Sequence, residues 1–199
     1  MSAPAFGPRE VDALQELATI GCGQALSALG RLAGRRFEMD VPEAWIGAGA
    51  GAIAGFLGAM GQELVTVGVK LEGPLEGDLL LALPAPDAAR LACVLGFPPD
   101  AGAYGTMAES ALLESGNIVG SAFVSAIAAL VGEKLLLSVP TFARGTGRAC
   151  VETLVAHAGS VALATRFTCG AGEEAALEGL ILVMPEPQRI SRLLRRLRV

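Results

Sequence analysis

The sequence predicts an α+β fold in which long helices pack on a largely antiparallel sheet. Three observations support this prediction. Helical and strand-like patterns follow one another in the same order in both halves of the chain. Neighbouring strand-like runs are separated by short turns, which join antiparallel strands. A polar pattern in the first half recurs 98 positions later. We therefore expect one domain, residues 1–199, made of two repeats at about 8–98 and about 104–199 with pseudo-twofold symmetry.

The recurring pattern consists of four positions with identical spacing. In the second half they are Ser110, Glu114, Asn117 and Pro140. In the first half they are Asp12, Glu16, Thr19 and Pro42. Flanking residues agree as well, for example Val41-Pro42 and Val139-Pro140. This agreement indicates a tandem duplication that carried one polar constellation into both halves, with Thr19 in the place of Asn117.

Four helices are predicted, two in each half. Apolar residues recur at helical spacing over residues 11–32 and 107–131, which open the two halves. Pro84 and Pro185 end the last strand of each half, and shorter helices follow at 87–95 and 186–197. The final helix is basic and amphipathic, so we expect it to pack on the sheet; an acidic partner or a membrane surface is the alternative. Residues 96–103 are rich in turn-forming residues and mark the boundary between the halves.

The predicted strands lie between these helices. In the first half they cover residues 37–46, 63–71 and 78–83, and in the second half residues 135–143, 150–158, 161–168 and 177–184. The run 64–69 has the β-branched enrichment of a sheet strand. The glycine-rich stretch 47–52 lacks the lysine of a phosphate-binding loop, so we expect a loop at the exit of a strand.

Composition excludes several functional classes. The net charge of −5 gives no nucleic-acid footprint. Four scattered cysteines and one histidine indicate reduced thiols in a cytoplasmic protein, with no zinc site, no metal of its own and no histidine-based triad. The uncharged segments 44–61 and 115–132 are broken by glycines or polar residues, so we expect a buried or half-buried helix and no membrane insertion. No signal-peptide pattern opens the chain.

A helical wheel places the second-half motif on one stripe. Ser110, Glu114 and Asn117 fall on the side opposite the apolar residues. The last two lie one turn apart, about 4.5 Å along the axis at ~1.5 Å per residue. A carboxylate can pair with a lysine, and a carboxamide can hold and orient a water molecule for attack on a phosphoryl group. Such residues are also ordinary on a solvated helix face, and the recurrence of glutamate in both halves adds weight to a functional role.

The motif and its surroundings resemble the signature of the CheC-type chemotaxis phosphatases, the family that includes CheC, CheX and FliY. The second half fits at Ser110, Glu114, Asn117 and Pro140, and the first half fits except at Thr19. The resemblance covers nearly the whole chain. Its length and paired motifs are typical of the CheC type, because a CheX type has one motif in a shorter chain and a FliY type would be expected to carry a further C-terminal domain.

This resemblance implies a function and a mechanism. The expected substrate is the aspartyl phosphate of a phosphorylated CheY-type response regulator. Glu114 would pair with the regulator's lysine, and Asn117 would orient the attacking water. Mg²⁺ would be bound by the regulator and not by this chain. Members of the CheC kind also bind CheD, a receptor-modifying deamidase, which makes CheD a further expected partner.

Thr19 departs from the family pattern and leaves alternatives open. Its hydroxyl is short and often turns back to a carbonyl one turn earlier in a helix, so Asp12, Glu16 and Thr19 are expected to form a catalytically weak or inactive site. A second hypothesis is a binding module that docks the regulator, CheD or a flagellar switch component with little hydrolysis. A third is a structural switch protein resembling the middle domain of FliM, which the presence of both Glu114 and Asn117 disfavours.

Overall fold

A computed structural model of the protein describes residues 6–46, 49–97, 106–154, 161–170 and 176–196. The helices in these ranges are α1 (Pro8–Ala33), α2 (Ala50–Met60), α3 (Ala85–Val94), α4 (Thr106–Val131), α5 (Gly147–Leu154) and α6 (Pro187–Arg196). The strands are β1 (Glu38–Met39), β2 (Glu43–Ile46), β3 (Leu64–Glu72), β4 (Gly77–Pro84), β5 (Leu136–Leu137), β6 (Thr141–Gly145), β7 (Val161–Cys169) and β8 (Leu177–Pro185).

The strands form one sheet in the order β1-β7-β8-β4-β3-β5, with β2 also paired to β7 and β6 also paired to β3. Every described pair is antiparallel, as predicted. The central pair joins β4 to β8, so the last strands of the two halves are neighbours. The element order from α1 to α3 recurs from α4 to α6.

Helices cover both faces of the sheet. Strand β4 shows the resulting pattern, since Leu79, Leu81 and Leu83 belong to one core and Leu80 and Ala82 to the other. This alternation follows from the two-residue period of a strand. The larger core contains the buried faces of α1, α3, α4 and α6, and the smaller core contains those of α2 and α5.

Helices α1 and α4 have the same length and end alike. Each spans 26 residues and is followed by a glycine in the left-handed conformation, Gly34 at φ 61° and Gly132 at φ 67°. Glycine adopts this conformation without the steric cost of a Cβ. The two helices also approach closely, because a Cβ added at Gly21 of α1 would lie 2.4 Å from the Phe123 ring of α4.

Helix α4 has the length and apolar composition of a membrane-spanning helix over Met107–Val131. In the structure Leu112, Val119, Phe123 and Ile127 are buried in the larger core, while Glu114 is exposed. A core helix with one polar stripe passes the same test of length and composition. This arrangement agrees with the half-buried helix that the sequence predicts.

The C-terminal helix α6 packs on the larger core as predicted, through Ile190, Leu193 and Leu194. Two of its arginines pair within the chain: Arg189 lies 2.9 Å from Glu76, and Arg196 pairs with Glu133. These pairs hold the helix against the first half of the sheet and the end of α4. The last predicted residue of the helix, Leu197, lies outside the described residues.

Two predictions on the smaller core are wrong. The run 150–158, expected to be a strand, begins in helix α5, and residues 155–158 lie outside the described residues. Cys150, Val151 and Leu154 form its buried face, and an i,i+4 pair between Arg148 and Glu152 at 2.8 Å supports the helix. The predicted loop 47–52 likewise enters helix α2 at its described part, because Ile53 and Leu57 bury one face.

Further differences concern boundaries. The predicted strands 37–46 and 135–143 are each divided, into β1 and β2 and into β5 and β6. The strand is interrupted at residues 40–42 in the first pair and at residues 138–140 in the second, and each interruption ends at a motif proline. Residues 98–103 of the predicted boundary between the halves lie outside the described residues.

Gly116→Ala should destabilise the fold. A Cβ at this position would lie 2.3 Å from Val67 Cγ1, so α4 would have to move away from β3. We expect a loss of about 1–3 kcal/mol in the free energy of unfolding measured with urea, despite the roughly 1 kcal/mol that alanine gains in helix propensity. Gly55→Ala in α2 is the control, since no atom lies within 4 Å of its added Cβ. Equal effects of the two substitutions would contradict the close contact.

The buried thiol of Cys22 predicts a loss of stability at high pH. Burial raises the pKa of Cys22 from 9.0 to about 11, opposed by a hydrogen bond that Thr165 donates to the sulfur. Because only the unfolded thiol ionises between these values, stability is complete below pH 9 and falls as the pH rises through 11. We expect the free energy of unfolding to fall by about 2–3 kcal/mol more in the parent protein than in Cys22→Ala between pH 8.5 and 11. Parallel pH profiles would contradict this assignment.

Candidate active site

The polar stripe predicted on the second long helix is present on α4. Ser110, Glu114, Ser121 and Ser125 are exposed, and Asn117 is half-buried. Ser115, between the motif residues, instead points inward, where its hydroxyl donates to the carbonyl oxygen of Ala111 at 2.9 Å. The helix therefore presents its carboxylate and carboxamide outward and uses its neighbouring hydroxyl internally.

Glu114 and Asn117 lie side by side. The Nδ2 of Asn117 donates to Oε2 of Glu114 over 3.5 Å, which is a long hydrogen bond. Within the described ranges the salt bridges do not include Glu114, so its carboxylate is available to a cation from another molecule. The pair thus offers adjacent acceptor and donor atoms at the surface of a rigid helix.

Two glycines determine where this pair stands relative to the sheet. Gly116 lies directly on Val67 of β3, and one turn later an added Cβ at Gly120 would lie 3.0 Å from Val69 and 3.3 Å from Leu137. The absence of side chains lets the α4 backbone contact the sheet. Because Glu114 and Asn117 flank Gly116 in the chain, this contact orients both of them away from the sheet.

The segment around Pro140 runs beside these turns of α4. Phe142 pairs with Val67, the residue below Gly116, and Leu137 touches the position of Gly120. The segment is anchored to β3 by Ser138, whose Oγ accepts the amide of Lys70 at 2.9 Å and whose own amide donates to the Lys70 carbonyl oxygen at 3.0 Å. Pro140 is half-buried, and it breaks the sheet ladder between β5 and β6.

The first-half motif has the same exposed placement with different chemistry. Asp12, Glu16 and Thr19 are exposed on α1. The Thr19 hydroxyl donates to the Gln15 carbonyl oxygen at 2.8 Å, which is the turn toward its own helix that the sequence predicts. Pro42 is buried, and its carbonyl oxygen accepts the Gln15 side-chain amide at 3.1 Å. The donor that would correspond to the Asn117 amide is therefore used inside α1.

A groove beside Glu114 was not predicted from the sequence. It has a volume of about 320 Å³ and is mainly apolar. Its lining residues are Leu32, Leu95, Phe97, Met107, Ser110, Ala111 and Glu114. They come from the ends of α1 and α3 and from the start of α4, so no local pattern reveals the groove. The sequence signal that lies beside it is Met107, an apolar residue three positions before Ser110.

A larger cavity of about 700 Å³ lies elsewhere. It is lined by Arg35, Arg36, Arg90, Cys93 and Cys169 among others, and by none of the predicted site residues. Its lining residues within the described ranges include no carboxamide beside a carboxylate. Volume alone therefore does not identify the site, and we assign the candidate site to the motif on α4.

Metal ligands are not clustered in the part of the chain that the structure describes. No group of three or more histidine, cysteine, aspartate or glutamate side chains is placed to hold an ion among those residues. The single histidine, His157, lies outside them. The candidate site consists of Glu114 and Asn117 with the groove beside them.

Comparison with known proteins identifies the segment that carries this site. Residues 107–144 match the model of the CheC-like family. The range contains Ser110, Glu114, Asn117 and Pro140. The CheY-P phosphatase CheC of Bacillus subtilis is 30% identical to this chain over 135 residues, which cover 66% of this chain and 64% of that relative. The match thus spans just under two thirds of the relative's length.

Solved structures show the same fold. Thermotoga maritima FliY superposes with a TM-score of 0.70 at 16% identity and covers 97% of this chain and 98% of its own. CheX in the CheX–CheY–BeF₃–Mg²⁺ complex of Borrelia burgdorferi gives a TM-score of 0.57 at 20% identity, over 88% of this chain and 99% of that chain. The family model matches the segment that carries the motif, the related sequence extends the similarity to about two thirds of the chain, and the solved structures share the fold; the chain is thus similar to the CheC-type chemotaxis phosphatases.

Proposed function

We propose that this protein hydrolyses the aspartyl phosphate of a phosphorylated CheY-type response regulator, with Glu114 and Asn117 as its catalytic residues. The observation that carries the proposal is the adjacent carboxylate and carboxamide on the exposed face of α4, inside the segment that matches the CheC-like family model. The related CheC of Bacillus subtilis is named a CheY-P phosphatase, and CheX of the same fold has been solved in complex with CheY.

Glu114 is suited to bind a lysine of the regulator. Its carboxylate is exposed and forms no salt bridge among the described residues. A lysine ammonium that approaches it would anchor the partner and bring the phosphorylated carboxylate toward the neighbouring turn of the helix. Such a pair also steers association, because opposite charges raise the rate of encounter at low salt.

Asn117 is suited to orient the attacking water. Its amide lies one turn beyond the carboxylate, and its carbonyl oxygen and second N–H remain for a water molecule. Phosphoryl hydrolysis needs positioning and charge stabilisation more than covalent participation by the protein. The regulator would supply Mg²⁺ and the phosphoryl group, and this chain would supply an oriented nucleophile.

Asn117→Ala should remove nearly all activity. Loss of the amide leaves water without an orienting group, and we expect the dephosphorylation rate of the regulator to fall at least about 10²-fold. Thr19→Ala should change the rate little, because the Thr19 hydroxyl is bound to its own helix. Ser121→Ala, on the same stripe of α4, controls for the loss of an exposed polar group. Substantial activity in Asn117→Ala would show that the second-half site is not the catalytic one.

Glu114→Gln should weaken the engagement of the regulator. The substitution keeps the shape of the side chain and removes the charge that attracts the lysine. We expect kcat/KM to fall roughly tenfold and to depend less on salt concentration. Glu16→Gln is the matched control, since Glu16 occupies the equivalent exposed position on α1. An equal fall in both variants would assign activity to the first half as well.

A binding module with little hydrolysis is the second candidate function. The observation in its favour is the Thr19 hydroxyl, which is committed to Gln15 and leaves the first-half site without a water-orienting amide. Such a protein would bind a regulator loaded with beryllofluoride and Mg²⁺ without shortening the lifetime of the phosphorylated form. The decay of phosphorylated regulator with and without the protein distinguishes the two functions.

We further infer that the two halves are copies of one ancestral unit. The recurring element order supports this, as does the offset of 98 residues between α1 and α4 and between β1 and β5. A cytoplasmic location remains a prediction from composition. Binding of CheD remains a prediction from the family resemblance.

A further inference from the structure

We propose that the groove between α1, α3 and α4 docks an apolar patch of the phosphorylated regulator, next to the lysine that pairs with Glu114. This inference rests on the proposed function and adds a surface through which the enzyme would bind its substrate. The proposed ligand of the groove is the folded regulator, which would present an apolar surface beside a basic residue.

Exposed apolar side chains converge at this groove. Leu32 is 43% exposed, Phe97 is 37% exposed and Met107 is 66% exposed. They lie in α1, in the segment that follows α3 and at the start of α4, and they line one concave surface of about 320 Å³. Isolated exposed apolar residues are ordinary, but a contiguous apolar concavity rimmed by polar groups is typical of an interaction site. Association with a protein would remove these side chains from water.

The charge pattern of the groove determines which surface it fits. Among the lining residues that the structure describes, Glu114 is the one ionisable side chain, and none is an arginine or a lysine. An anionic or acidic partner would meet the carboxylate at the edge of the groove and be repelled. An apolar surface with a lysine at its margin matches both features, because the cation would face Glu114 while the apolar side chains fill the groove.

The corresponding positions of the first half differ in a way that supports this assignment. Position 107 corresponds to Arg9, and position 110 corresponds to Asp12. The apolar residue beside the glutamate is therefore present only in the half that carries Asn117. A surface retained for helix packing alone would not be expected to change together with the catalytic amide.

Leu32→Arg tests the docking role against a matched control. Leu32 and Leu130 are equally exposed, at 43% and 44%, and occupy equivalent positions near the ends of α1 and α4. Leu130 does not line the groove. With regulator phosphorylated by a small-molecule phosphodonor, we expect Leu32→Arg to raise KM about tenfold or more with kcat unchanged. Leu130→Arg should leave both constants unchanged.

Met107→Arg is the second variant and places the first-half residue at the start of α4. Since Met107 is 66% exposed, the substitution should leave the fold intact, and it should raise KM in the same way. An unchanged KM in both groove variants would overturn the docking inference while the parent's activity upholds the proposed function. A fall in kcat alone, or an equal effect of Leu130→Arg, would also overturn it. A parent protein that does not accelerate hydrolysis would instead refute the proposed function.

Discussion

The contact between Gly116 of α4 and Val67 of β3 is the constraint on which the site depends. An added Cβ would lie 2.3 Å from the valine, so the helix backbone itself packs on the sheet. Close packing of this kind leaves little freedom for the helix to rotate or lift. Glu114 and Asn117 flank this contact, and their outward direction follows from it. The side chains that are proposed to meet the substrate are thereby held by a rigid core rather than by a loop.

Helices α1 and α4 are alike in length and in their buried residues at this position, but they expose different side chains. In α1 the position equivalent to Gly116 is Ala18, which is fully buried, and the position equivalent to Asn117 is Thr19, which is exposed. Both helices therefore have a small buried residue at this position, and the residues that follow it on the outer face differ. Thr19 satisfies its hydroxyl within the helix, whereas Asn117 reaches toward a neighbouring carboxylate. The two exposed faces, 98 residues apart in the chain, therefore differ in the hydrogen-bonding groups that they offer.

Family and function rest on different observations. The structural likeness to FliY and CheX establishes the fold, and one fold can host several functions. The functional argument comes from the motif segment of α4 and β6, from the exposed Glu114 and Asn117, and from the groove beside them. The larger cavity near Arg35 has no part in the proposed mechanism, because its described lining residues include no carboxamide to orient water.

The sequence by itself determined the presence of the two long helices, the four long strands and the polar stripe of α4, because each depends on periodicity within one segment. It did not distinguish α5 from a strand, since a short apolar run suits either structure until its neighbours are known. Only the tertiary structure decided where α4 packs on β3 and that a groove lies beside Glu114. Both arise where residues distant in the chain, such as Leu32, Phe97 and Met107, meet in space, and no local pattern encodes such a meeting.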